Sequence, residues 1–226
     1  IEIAEKSTTR LGERDPETGE LTSLAMNRAF ETLKRFKDLA HSYKVESLLI
    51  AATSAVREAS NGKQFLSIIK NEIGLDVELI SGAEEARLIY LGVLSGMQFG
   101  NAPHLVLDIG GGSTELILAD RSEARALTST KIGAVRLQRE FIREDPISSD
   151  TVFFLRSFVQ GSMESAVDKI SKRISKSEKP VLVATSGTAL AIGALISNME
   201  NHNQSQLQGY KISKKILDEF IDKLIK

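Results

Sequence analysis

Residues 105–118 read LVLDIGGGSTELIL, and this stretch restricts the possible folds more than any other part of the chain. Two short runs of aliphatic and β-branched residues flank three consecutive glycines, Gly110, Gly111 and Gly112. Each run reads as a strand and the glycines as the turn between them. Asp108 precedes the turn and Glu115 follows it, with Ser113 and Thr114 in between. Glycine permits positive φ and lets a ligand approach the backbone closely. Successive amides in such a turn form a concave anion site, and two carboxylates at its edge suit a hard cation such as Mg²⁺. A Rossmann fingerprint or a P-loop would lead from strand into helix. Here a second strand follows, with no Gly-Lys-Ser/Thr after the glycines, which excludes a P-loop. An ordinary two-residue hairpin turn needs fewer glycines, so a phosphate loop is the stronger reading.

Composition narrows the function classes. The 226 residues suffice for one large domain or two small ones. With 29 basic and 30 acidic residues the net charge is −1, which argues against a general nucleic-acid binder but leaves room for a polyanionic substrate held by local basic groups. The chain has no cysteine, which rules out disulfides, thiolate metal sites and a cysteine nucleophile. Its three histidines, His41, His104 and His202, are scattered. They read as incidental surface or strand-end residues and not as a zinc site. No apolar run approaches the length of a membrane span and no signal peptide is visible, so the expected compartment is the cytoplasm. Because residue 1 is Ile, the chain reads as part of a longer protein.

Periodicity predicts alternating strands and helices. Strands are expected at 2–10, 45–52 (buried), 76–80, 124–130 and 180–185, besides the glycine hairpin. Helices are expected at 22–43, with Thr22 as N-cap, and at 62–73, ending before Gly74. Further helices are expected at 83–97, 135–143, 150–175 (broken near Gly161), 187–199 and 213–225, with a polar loop over 198–209. The break at 98–103 is the expected domain boundary, giving domains 1–98 and 99–226. The class is α/β, with mixed sheets flanked by helices.

Four further segments carry chemistry. In ISGAEEARLIYLGV (80–93), Glu84 and Glu85 fall in the first turn of a helix. There the dipole favours acids, and Arg87 is spaced to pair with Glu84. On residues alone helix-start stabilisation is the stronger reading; the sharper one makes one glutamate a general base for an attacking water. In the stretch 51–62, which contains ATSAVREASNG, Arg57 follows a strand end and is either a bidentate phosphate ligand or a solvent-facing arginine. In VLVATSGTALAIGAL (181–195), Ser186, Gly187 and Thr188 join a strand to a helix, where amides bind anions and hydroxyls serve as caps. In TSTKIGAVRL (128–137), Lys131, Gly133 and Arg136 are candidates to line a basic channel, surface solvation being the default for each cation.

Taken in order and at their spacing, ATSAVREASNG, ISGAEEARLIYLGV, LVLDIGGGSTELIL, KIGAVRL and ATSGTA, with TRLGE at 9–13, closely resemble the exopolyphosphatase / guanosine pentaphosphate phosphohydrolase family. The glycine hairpin alone would point only to the wider actin-like ATPase group; the SGAEEAR segment is more specific. The resemblance implies two actin-like (ribonuclease H-like) domains facing a cleft. It implies hydrolysis of a terminal phosphoanhydride, with release of orthophosphate from inorganic polyphosphate or guanosine pentaphosphate. By the same resemblance Glu85 is the base that activates water, which reverses the reading from residues alone. Asp108 and Glu115 lie near Mg²⁺, and Gly110, Gly111, Gly112 and Ser113 form the phosphate loop. Arg57 contacts phosphate, and Ser186, Gly187 and Thr188 form a further loop at the cleft. Family members begin with a strand and an Asp-x-Gly-Ser-Asn-Ser loop and continue with an Arg-Ala-Asp and Gly-Ala segment; this chain shows neither, so further segments are expected beyond both ends. A homodimer is expected, with no nucleic-acid or membrane partner.

Two other classes compete. A non-catalytic polyphosphate or alarmone sensor would keep the glycine loops and Arg57 without needing Glu85. An actin-like kinase would transfer phosphate from ATP to a small acceptor and would give SGAEEAR no role.

Overall fold

The computed structural model describes residues 5–97, 100, 102–121, 123–199 and 207–225. The expected loop over 198–209 therefore falls largely outside the described residues, as do His202 and half of the 98–103 break. The chain divides into two compact units, Ile1–Ser81 and Gly82–Lys226.

In the first unit, helix α1 (Ser23–Ser42) starts where Thr22 predicts it, the Thr22 hydroxyl accepting from the Ala25 amide at 3.2 Å. Strand β1 (Ala51–Ala52) leads into the single turn α2 (Ser54–Arg57) and then α3 (Gly62–Ile73). That helix stops at Gly74, whose φ of 68° is the left-handed C-cap conformation open to glycine. Strand β2 (Glu78–Leu79) pairs in parallel with β1. Apolar side chains of α1 and α3 recur with helical spacing, so Leu21, Ala29, Phe65, Ile69, Ile73 and Leu75 pack into one core. Asn61 fastens it by accepting from the Leu21 amide at 2.8 Å and donating to the Leu21 carbonyl at 3.0 Å.

Two strand expectations need correction here. The run 45–52 pairs only through Ala51 and Ala52, and Val45, Leu48 and Leu49 are exposed, Leu49 to 97%, while Ile50 packs half-buried against the core. A strand exists only where a partner ladder exists, and the described partner is two residues long. Expected strand 2–10 lies outside the described residues over 2–4; Glu5–Arg10 forms none, and Arg10 takes a left-handed φ of 49°.

The second unit opens with α4 (Gly82–Gly96) and the hairpin strands β3 (His104–Ile109) and β4 (Thr114–Ala119). Then come β5 (Ala124–Thr130), α5 (Ala134–Phe141), α6 (Ser149–Ser171), β6 (Val181–Thr185), α7 (Ser186–Met199) and α8 (Lys214–Ile225). The sheet order is β5-β4-β3-β6, antiparallel except for β3 with β6. Alternation along the strands divides the core between two faces. Val106, Ile117 and Ala119 pack with Ala86 and Tyr90 of α4. Leu116, Leu118 and Ala126 pack with Ile170 of α6. The helix expected at 83–97 thus covers the second unit's sheet, so the division in contacts falls before α4, whereas the polar break in the sequence comes after it. Helix α6 runs unbroken through Gly161, because an exposed glycine inside a helix costs only about 1 kcal/mol against alanine. Among the described residues no helix is long and apolar enough to cross a membrane.

Candidate active site

Strand register sets the site. Asp108 on β3 is the direct partner of Glu115 on β4 and of Thr185 on β6, and Glu115 is in turn the partner of Ser129 on β5. One row of polar side chains therefore crosses all four strands, just short of the glycine turn. Glu115 is 1% exposed, and the Ser129 hydroxyl donates to its Oε1 at 2.7 Å. Burial pushes the Glu115 carboxyl above its ordinary range; the Ser129 and Ser113 hydroxyls pull the other way, and the charges of Glu85 and Asp108 push it further up. The Asp108 carboxyl is likewise raised, first by burial and then by Glu85, against the opposing pull of the nearby Ser186 hydroxyl. Both strand acids thus feel Glu85, which α4 carries in its first turn. Its neighbour Glu84 is occupied elsewhere: Arg87 Nη2 and Nε donate to its two carboxylate oxygens at 2.7 and 2.8 Å, which lowers its pKa. The expected Glu84–Arg87 pairing is present, and Glu85 is the glutamate of the pair that acts on the strand acids.

The glycine turn is held from one side. The amide of Gly110 donates to the Ser113 carbonyl at 3.0 Å and closes the hairpin. The carbonyls of Gly110 and Gly111 accept from the amides of Ala134 (2.9 Å) and Arg136 (3.0 Å), and the Gly112 carbonyl accepts from Arg136 Nε at 3.1 Å. None of Gly110, Gly111 and Gly112 takes a positive φ. The close approach belongs to Gly133, where a Cβ would lie 2.5 Å from the backbone of Gly111 and Gly112, whereas a Cβ at Gly110 would lie 3.2 Å from the Ser113 carbonyl oxygen and one at Gly111 would make only ordinary contact with Val135. Arg136 and Gly133, read from sequence as candidates to line a channel, pack against the α5 side of the glycine loop.

At the β6–α7 junction Ser186 has a φ of 72°, a strained conformation for a residue with a side chain. The Ser186 and Thr188 hydroxyls both donate to the Ile109 carbonyl at 2.8 Å, and so tie this turn to the end of β3. Gly187 lies between them. Arg57 belongs to the first unit, where its Nη1 donates to the Ile80 carbonyl at 2.8 Å. His104 opens β3 as a strand-end residue, but it is buried, and desolvation pushes its pKa down. Sequence reasoning passed over Ser129 and Thr185. Counting the ladder outward from Asp108 would have found both.

The acid pair can be tested against Mg²⁺. Among the described residues no three His, Cys, Asp or Glu side chains are grouped to hold an ion alone. Mg²⁺ commonly binds through one or two carboxylates, retaining waters and substrate oxygens. Two adjacent acids, each raised by burial and by neighbouring negative charge, fit that mode, because a cation would relieve the repulsion between them.

The architecture is thus an α/β unit presenting buried acids and a backbone-clamped glycine turn at one end of a mixed sheet. The chain belongs to the Ppx/GppA phosphatase family, whose sequence model matches residues 3–226. Exopolyphosphatase 1 of Mycobacterium leprae is 34% identical over 191 residues, covering 84% of this chain and 55% of that protein. The guanosine-5'-triphosphate,3'-diphosphate pyrophosphatase of Photobacterium profundum is 33% identical over 173 residues, covering 76% of this chain and 34% of that one. A crystal structure of an exopolyphosphatase from Cytophaga hutchinsonii superposes with a TM-score of 0.88 at 29% identity, covering 99% of this chain and 71% of that one. The chain spans about half the length of the curated relatives it matches first.

Proposed function

We propose that this chain carries the reacting carboxylates of a phosphohydrolase that releases orthophosphate from the terminal phosphoanhydride of inorganic polyphosphate or guanosine pentaphosphate. The observation that carries the reading is the position of Glu85: its charge acts on both Asp108 and Glu115, while Glu84 beside it is bound to Arg87. The names of the two curated relatives support the substrate class.

Phosphoryl transfer asks for positioning and charge neutralisation more than for covalent chemistry. The amides of Gly111, Gly112 and Ser113 hold the terminal phosphate. Glu85 orients a water in line with the terminal phosphorus and takes its proton. The new P–O bond forms as the anhydride P–O bond breaks, and the shortened chain leaves as the anion. Asp108 and Glu115 are the residues that would hold Mg²⁺, which when bound neutralises charge on the phosphate oxygens. Ser129 and Ser113 keep Glu115 oriented, and the Ser186 and Thr188 hydroxyls keep the β6–α7 turn against the end of β3. A repeated-phosphate substrate can advance and react again.

The test offers long-chain polyphosphate and guanosine pentaphosphate separately to the full-length protein with Mg²⁺ and follows orthophosphate. Release from either supports hydrolysis and ranks the substrates. Tight binding with no release from either would favour a sensing module and overturn the proposal.

A further inference from the structure

The family resemblance leaves Arg136 without a role, and its hydrogen bonds supply one. A trans peptide is planar, with its C=O and the following N–H pointing in opposite directions. Among the described residues the only cis peptide is Asp145–Pro146. The carbonyls of Gly110, Gly111 and Gly112 all accept from the α5 side: the first two from the amides of Ala134 and Arg136, the third from Arg136 Nε. The next amide in each case, of Gly111, Gly112 and Ser113, must therefore point away from α5. Those three amides make no hydrogen bond among the described residues. Three consecutive amides facing one way form a nest for an anion.

The arrangement is reciprocal. Helix α5 has no side-chain cap at Gly133, and the first amides of a helix lack intrahelical partners. The glycine-loop carbonyls serve as that cap. The third carbonyl accepts from no α5 backbone amide among the described residues, and the Arg136 guanidinium, half-buried and 4.0 Å from Glu140, takes it.

We infer that Arg136 is a positioning residue: through Nε it fixes the Gly112 peptide so that the Ser113 amide completes an anion nest begun by Gly111 and Gly112. This rests on the phosphate-binding role proposed for the loop.

The experiment titrates ¹⁵N-labelled protein with inorganic phosphate and follows the amide resonances of Gly111, Gly112 and Ser113 in wild type, Arg136→Met and Arg136→Lys. Melting curves check that each variant is folded. In wild type all three amides should shift together. Arg136→Met keeps the aliphatic stem and removes the donors; apparent phosphate affinity should fall about tenfold or more, roughly 1.4 kcal/mol, with the largest loss of shift at Ser113. Arg136→Lys, which keeps one donor, should recover part of it and carries the comparison if the Met variant does not fold. A wild-type response in a folded Arg136→Met protein would overturn the positioning role while leaving the phosphate loop intact. Wild-type loop amides that ignore phosphate would overturn the loop reading and this inference with it. If Arg136→Met abolishes binding while the wild-type amides stay unmoved, Arg136 touches the anion itself and the inference also fails.

Discussion

Replacing Gly133 with alanine should damage stability and turnover together. An added Cβ would sit 2.5 Å from the C and O of Gly111 and the N of Gly112, and ordinary contact begins at 3.4 Å, so the backbones must separate by 0.9 Å. All three opposing atoms are main chain, and no side chain can swing aside. Overpacking of this kind costs about 1–3 kcal/mol. For a chain of this size each kcal/mol lowers Tm by about 2–4 °C, which gives an expected fall of roughly 2–12 °C. The same displacement moves a loop proposed to hold the terminal phosphate, and a misplacement near 1 Å can reduce turnover by roughly 10²-fold. Gly161→Ala is the matched control. That glycine is exposed in the middle of α6, a Cβ there meets nothing within 4 Å, and the change should stabilise by about 0.5–1 kcal/mol. Calorimetry and an orthophosphate-release assay on both variants of the full-length protein read the two effects. A Gly133→Ala protein that melts and turns over like wild type would refute the close approach of α5 to the glycine turn.

Three other outcomes follow from the same geometry. The native Glu115 carboxyl is raised above its unfolded value, so folding favours its protonated form, and the stability this confers below the unfolded carboxyl range is lost as pH rises through the raised native value. Glu115→Gln should therefore raise Tm at neutral pH in metal-free buffer and change it little under acidic conditions; a gain independent of pH would contradict this. In the wild type Mg²⁺ should raise Tm by mass action, and in Glu115→Gln much less; equal shifts would remove Glu115 from the proposed metal pair. Asn61→Ala deletes both hydrogen bonds to the Leu21 backbone and leaves its buried polar groups unmatched, so it should cost about 1–3 kcal/mol in denaturant unfolding without altering the chemistry of the second unit.

Elements whose signals are local were readable from sequence alone. The Thr22 cap, the stop at Gly74, the glycine hairpin and the strand at 124–130 lie where capping, left-handed glycine and alternation put them. What escaped depends on partners distant in sequence. The apolar run 45–52 reads as a buried strand because apolar runs usually find a ladder, and only Ala51 and Ala52 pair. Placing α4 needed the knowledge that Ala86 and Tyr90 pack on β3 and β4. Positive φ, one of the two freedoms read into the three glycines, is not used by Gly110, Gly111 or Gly112, and the close backbone approach in this loop is made by Gly133. At the candidate site the types and spacing of the acids were legible, but the row Ser129–Glu115–Asp108–Thr185 emerges only once the register is known. The choice between Glu84 and Glu85 came from resemblance, and the Arg87 pairing supplies a physical ground for it.

The account stands most directly on the difference between those two adjacent glutamates. Orthophosphate release by the full-length protein should be compared for wild type, Glu84→Gln and Glu85→Gln under identical Mg²⁺ and substrate. Loss of a positioned general base typically lowers the rate by about 10²–10⁴-fold, and that is the fall expected for Glu85→Gln. Glu84→Gln removes the charge of a solvent-screened ion pair with Arg87 and should stay near wild type. Near-wild-type release by Glu85→Gln, or equal losses in the two variants, would contradict the central claim.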